Sequence, residues 1–179
     1  MEESVNYAEY TVTQKAEGKN LRKRLLLLGL YLIVLAVIVV VINATNGGAA
    51  VWVGVLFVLF VALVWFTWRL VKEEKQYEVS NAHLRISAIN GSGKASLLFE
   101  NLVSEFALIA PLNDEYRDRF AAAGQVLDFR GDTKSPDSYF ALLEKDGSTT
   151  AVCFEATNKM LKVMKFYNKN GTVVTEVRR

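Results

Sequence analysis

The chain has 179 residues, with 21 Lys and Arg against 19 Asp and Glu, one His and one Cys. So balanced a charge gives no general attraction to nucleic acid, one Cys excludes an internal disulfide, and one His beside one Cys is too few ligands for a zinc site. Hydrophobic residues make up 51%, but they are unevenly placed: 25–68 is almost wholly apolar, whereas 69–179 has the composition of an ordinary folded domain.

Residues 1–20 form a separate N-terminal segment. In "NYAEYTVTQ", Ala8, Tyr10 and Val12 alternate with Tyr7, Glu9, Thr11 and Thr13. That period of two reads either as an extra strand for the downstream domain or as an unstructured tail.

Two runs without any charge follow, Leu25–Ile42 and Ala49–Phe66, separated by "NATNGG" at 43–48. Eighteen helical residues reach about 27 Å, close to the roughly 30 Å of a bilayer core. Neither run carries the polar face of a helix packed in a soluble protein. The expectation is a transmembrane helical hairpin over 21–71, with spans at about 25–42 and 49–68 and the loop 43–48 outside. A cleaved leader fits less well, because a long polar segment precedes the first run and a second run follows it. Arg22, Lys23 and Arg24 before the first span, and Arg69 and Lys72 after the second, set the topology, since Lys and Arg collect on the cytoplasmic side. Both termini are then cytoplasmic in a multi-pass cell-membrane protein, and the lipid bilayer is its first partner. Trp52, Trp65 and Trp68 suit interfacial anchoring. No ionisable residue interrupts either span, so nothing indicates an ion or proton pathway. Tyr31 reads as interior packing, and Ala50 with Gly54 as a small-residue pair that lets helices approach.

Residues 72–179 form the expected cytoplasmic domain. "KQYEVS" alternates Tyr77 and Val79, Asn81-Ala82 turns the chain, and "HLRISAI" places Leu84, Ile86 and Ala88 on one face. "NGSG" predicts a hairpin turn, because Asn-Gly accepts positive φ. "KASLLFE", "SEFALIAP", "QVLDFR", "SYFALLEKDG" and "STTAVCFEA" complete seven strands, with "LNDEYRDRFAAAG" as a short helix or loop and Asp146-Gly147 as the last turn. The period then changes. "TNKMLKVMKFYN" puts Met160, Leu161, Val163, Met164 and Tyr167 on one helical stripe, with Thr157 as N-cap and Gly171 as the stop.

The strand pair "QYEVSNAHLRIS", the strand "EFALIAP" and the closing "FEATNKMLKVMKFYN" together resemble the pleckstrin-homology-like (PH-like) fold. That resemblance implies an α+β or all-β barrel of about seven antiparallel strands with one C-terminal helix. The whole chain is similar to bacterial membrane proteins of unknown function with two N-terminal spans and such a cytoplasmic domain. Pleckstrin-type lipid binders cluster basic residues at their first hairpin turn, and "INGSGKAS" supplies only Lys94.

Little in the chain can do chemistry. His83 stands alone beside a turn, and Cys153 in the middle of a strand reads as small core filler. "NGSGKAS" lacks the spacing and the helix of a phosphate loop. Asp114, Glu115 and Asp118 lie among Arg117 and Arg119 and read as paired surface charges. Arg130-Gly131-Asp132 lies in a cytoplasmic loop, where the integrin tripeptide has no meaning. No cofactor or metal is implied, and no enzyme. From Gln76 onward there are 13 basic and 13 acidic residues, so the domain has no net field toward acidic lipid or nucleic acid. One local patch stands out: Lys159, Lys162, Lys165 and Lys169 on the last helix are candidate membrane-surface contacts. The expected function is a membrane-anchored, non-catalytic interaction module with a protein partner or self-association. The alternatives are an anionic-lipid sensor and a subunit of an oligomeric transport complex.

Overall fold

A computed structural model describes residues 6–14, 18–44, 50–71, 73–145 and 147–178. The expected outer loop from 45 to 48, Lys15, Lys72 and Asp146 lie outside the described residues. The chain divides into two compact units, one built on two long helices and the other on the N-terminal strand with nearly all of the chain from Glu74 onward.

In the helical unit, α1 runs Gly18–Ala44 over 27 residues and α2 runs Ala50–Val71 over 22, about 40 Å and 33 Å long. Within α1, Leu21–Ala44 is long and apolar enough to cross a membrane; the described apolar stretch of α2, Gly54–Thr67, is shorter. Apolar side chains point outward all round both helices: Leu26 is 76% exposed, Val58 66%, and of their described residues only Ile38 is buried. A helix greasy on every side is suited to lipid. The helices meet through Tyr31, whose hydroxyl bonds Thr67 and whose ring meets Phe60 edge-on at 6.1 Å. Asn43, expected in the loop, instead belongs to the last turn of α1. Its Nδ2 donates to the Val39 carbonyl at 2.8 Å, one turn back along the helix.

The β-rich unit is not a closed seven-strand antiparallel barrel. It has eight described strands in two four-stranded sheets. The first sheet is ordered β1 (Tyr7–Thr13), β2 (Glu73–Ser80), β3 (His83–Asn90), β4 (Ala95–Leu102). The second is ordered β5 (Phe106–Pro111), β7 (Ser138–Lys145), β8 (Ser148–Glu155), β6 (Gln125–Asp128). The added strand is β1, whose alternation buries Ala8. The short helix α3 (Arg117–Ala121) turns the chain so that β6 enters beside β8 in parallel, Gln125 opposite Thr150. A strand arriving from a helix has no tight hairpin to force it antiparallel.

The turn chemistry also differs from expectation. Asn90 takes no positive φ; its Oδ1 accepts from Ser92 N at 3.2 Å, and Gly93 supplies the left-handed residue at φ +81°. Between β2 and β3, Asn81 and Ala82 both adopt positive φ, 49° and 67°. That is the twist a two-residue hairpin needs, and holding Ala82 there costs about 1 kcal/mol. The helix α4 (Asn158–Tyr167) begins as expected, Thr157 Oγ accepting from Met160 N at 3.3 Å. It ends at Asn168 and not at Gly171, because the Asn168 amide turns away to bond the carbonyls of Val103 and Phe106 at 3.0 and 2.7 Å. Met160, Leu161, Val163 and Met164 enter one core with Tyr77, Leu84, Ile109 and Phe154.

Candidate functional site

β1 and β2 are neighbours in one sheet, with Tyr7 opposite Ser80 and Thr13 opposite Glu74. In sequence, α1 and α2 lie between them. The helical pair therefore takes the place of the turn in a β-hairpin. It is inserted within the domain, not attached before it. The signal was present in the sequence, as two alternating segments flanking a pair of apolar runs, but nothing local says that they pair.

A second feature holds the N-terminal strand in place. Glu155, at the end of β8, is fully buried, and its Oε1 accepts from the main-chain N–H groups of Gly131 and Asp132 at 3.0 and 2.9 Å. Gly131 is pressed between that carboxylate and β1: a Cβ there would meet Val12 Cγ1 at 2.7 Å and Glu155 Oε1 at 3.3 Å. Only glycine allows so close an approach. Arg130 forks onto Asp128, Nη2 to Oδ2 at 2.6 Å and Nε to Oδ1 at 2.9 Å. Burial pushes the Asp128 carboxyl up, but the hydrogen bonds and charge of Arg130 more than offset this and hold it below the usual carboxylate range. The tripeptide 130–132 is thus taken up by the fold. Sequence reasoning missed this clamp, because Gly131 and Glu155 come from separate segments.

The other singled-out residues have plain places. Cys153 is fully buried in the second sheet, and burial pushes its thiol up to about 11, so it is protonated and shielded at neutral pH. His83 Nδ1 sits 2.9 Å from the Asn81 carbonyl, in the turn it follows. Asp114 and Arg117 approach to 3.9 Å on exposed surface.

Of the four candidate lysines, Lys159 and Lys162 are exposed on α4, which also carries Phe166 at 56% exposure, and Lys169, expected on that helix, is exposed in the turn beyond its end. Lys165 is engaged, its Nζ donating to the Thr172 carbonyl at 2.7 Å. In the helical unit Arg22 and Lys23 are exposed and Arg24 is half-buried; Trp52 and Trp65 point outward, 72% and 68% exposed. Trp68 and Arg69 fall in the last turns of α2, their side chains outside the description.

The first sheet has a further exposed element. Its edge strand β4 presents Leu97 and Leu98 at 57% and 41% exposure. A bulge opposite Ile86 and Ser87 breaks the register there, with Phe99 facing Ile86 and Leu97 facing Ser87. Bulges of this kind twist an edge and discourage uncontrolled pairing.

No curated protein and no solved structure matches the chain. The family model described as Bacterial PH-like domain (DUF6106) matches residues 4–174, spanning the N-terminal strand, the helical pair and both sheets. With nearly its whole length inside that match, the chain belongs to this bacterial PH-like domain family.

Proposed function

We propose that the chain is a membrane-anchored, non-catalytic interaction module, a PH-like domain held at the inner face of the cell membrane by a two-span helical hairpin. The pairing of β1 with β2 across the helical pair carries this reading. Two strands of one sheet lie on one side of a bilayer, so a chain that crosses through α1 returns through α2 before β2 begins. The 22 residues of α2 are long enough for that return. The basic residues at 22–24 and at 69 and 72 favour the cytoplasm for both ends. Membership of a PH-like family supports binding over catalysis by analogy of fold.

Cysteine labelling tests the topology. On intact cells an impermeant maleimide is expected to label Asn46→Cys and to leave Lys94→Cys unlabelled, while buried Cys153 stays silent. Labelling of Lys94→Cys from outside overturns the reading. In-cell crosslinking with mass spectrometry then compares the full chain with one lacking 76–179. A partner lost with the domain supports the module; self-crosslinks that survive the deletion point to an oligomer built by the helices.

A second reading, contact with anionic lipid, is favoured by exposed Phe166 among the lysines of α4, each worth about 1 kcal/mol near such a surface. It ranks below the first because the domain from Gln76 onward carries 13 basic and 13 acidic residues, leaving no net field toward acidic lipid.

A further inference from the structure

After α4 the chain runs back as an extended tail along β5, the edge strand of the second sheet. Among the described residues it makes a single isolated bridge, Ile109 with Thr172 in parallel: Ile109 N donates to the Gly171 carbonyl at 2.7 Å, and Val173 N to the Ile109 carbonyl at 2.8 Å. Beyond that point side chains take over from strand pairing. Tyr139 Oη accepts from Thr175 N at 3.1 Å. The Asn158 amide reads both main-chain groups of Val177, Nδ2 donating to its carbonyl at 2.9 Å and Oδ1 accepting from its N–H at 3.2 Å. Asp137 Oδ1 accepts from Arg178 N at 2.9 Å.

Almost every one of these contacts goes to the tail's main chain. A side-chain amide that reads one residue's N–H and C=O together recognises extended backbone and not a particular sequence. The side-chain readout falls on three positions: Val177, 7% exposed, joins the main core, Val173 packs on the cluster around Phe140, and the Thr175 hydroxyl bonds Tyr139 Oη at 2.6 Å, while Val174 is 45% exposed. The fit is also incomplete. Thr172 is 1% exposed, and its hydroxyl finds no hydrogen-bond partner among the described residues. A buried unpaired hydroxyl costs free energy that a different occupant of the trough would not incur.

We infer that the surface formed by Ile109, Asp137, Tyr139 and Asn158 is a docking groove for an extended peptide, and that Thr172–Arg178 fills it as an intramolecular ligand. The outside occupant is an extended segment of a partner protein with a small aliphatic residue where Val177 sits, and it displaces the tail. This rests on the interaction-module reading and gives that module its site: the tail holds the groove shut until a partner segment outcompetes it.

The test uses the full chain in mild detergent and a fluorescent peptide of sequence Gly171–Arg179. In the native protein the groove is occupied, so apparent affinity is reduced by the fraction of open groove. Val177→Asp loosens the chain's own tail and is expected to tighten peptide binding by about tenfold or more. Adding Asn158→Ala should cancel that gain, and a peptide carrying Asp at the Val177 position should not bind. A folded Val177→Asp chain that binds the peptide no better than the native one overturns the proposal.

Should that variant fail to fold, native-state hydrogen exchange on the unaltered chain decides. The amides of Val177 and Arg178 are expected to exchange about a hundredfold faster than that of Val152, through local opening. Equal protection makes the tail a core element and overturns the proposal. Doubling of mass in the native chain, abolished by Val177→Asp, names a second copy's tail as the occupant and overturns the partner form. Because peptide binding is read on purified protein, it can fail while cellular crosslinking still finds a partner, or succeed where none is found.

Discussion

The two sheets of the β-rich unit have four strands each and bury their residues in different ways. In the first, β2 and β3 alternate strictly, Tyr77, Val79, Leu84 and Ile86 inward and their neighbours half-exposed. In the second, β7 is buried from Ser138 through Leu142 and β8 from Ala151 through Glu155 without a break. The cause lies outside those strands. Phe120 of α3 packs edge-on against Phe140 at 5.4 Å, and Val173 of the tail covers the same outer face. A sheet covered on one face shows its period, and a sheet covered on both loses it. The difference separates the two sheets: the second is covered on both faces, and the first leaves a face and an edge to solvent.

The largest expected effect comes from breaking the second sheet. Phe154→Ala, at a fully buried position, should cost about 3–5 kcal/mol of stability in urea titrations of the detergent-solubilised chain. Glu155→Ala leaves two main-chain N–H groups buried without an acceptor and should cost about 2–3 kcal/mol in the same titrations. Gly131→Ala forces Val12 and the carboxylate apart, so a loss of about 1–3 kcal/mol is expected. Its signature is early proteolytic release of the N-terminal strand, and an unchanged cleavage pattern would separate the clamp from β1.

Alkaline pH sharpens the contrast further. The Cys153 thiol is raised from 9.0 to about 11 by burial, and burial together with the nearby Glu155 charge raises the Tyr77 hydroxyl as well. Above pH 9 the unfolded thiol ionises while the folded one keeps its proton. The native state then holds more protons, and stability falls as pH rises, by about 1–2 kcal/mol near pH 10.5 for the thiol alone. Melting curves at pH 8 and 10.5 should show this, and Cys153→Ala should remove the thiol's share. The smallest effect belongs to the first sheet's edge. Leu97→Lys should change stability by no more than about 0.5 kcal/mol. If that edge also serves a partner, the same substitution removes the crosslink while the melt stays put.

What could be read from the sequence follows the same division. Period-two alternation marked β2 and β3, and the shift to a helical stripe marked α4 with its Thr157 cap, because both depend on neighbours along the chain. The parallel entry of β6 could not be read, since its direction is set by how α3 folds over the sheet. Nor could the left-handed Ala82, where residue type gives no warning. The lysine face of α4 was legible as a surface, but the engagement of Lys165 was not. The Glu155 clamp and the seating of Val177 on Asn158 join segments about twenty positions apart, and such pairings leave no local pattern.

The insertion of two helices between paired strands also has a kinetic consequence. Thr13 and Glu74 lie about sixty positions apart in sequence, a separation that slows pairing in a free chain. Once Tyr31 has met Phe60 and Thr67, the helices themselves have closed most of that loop. Only a few residues on either side remain to be ordered, and loop closure is quick when it is short. The N-terminal strand is synthesised first, yet it has no partner until α2 has been made and has returned. Pairing of the two helices thus becomes the step that starts the sheet, and a fault in the helical pair would surface as a late fault in the domain.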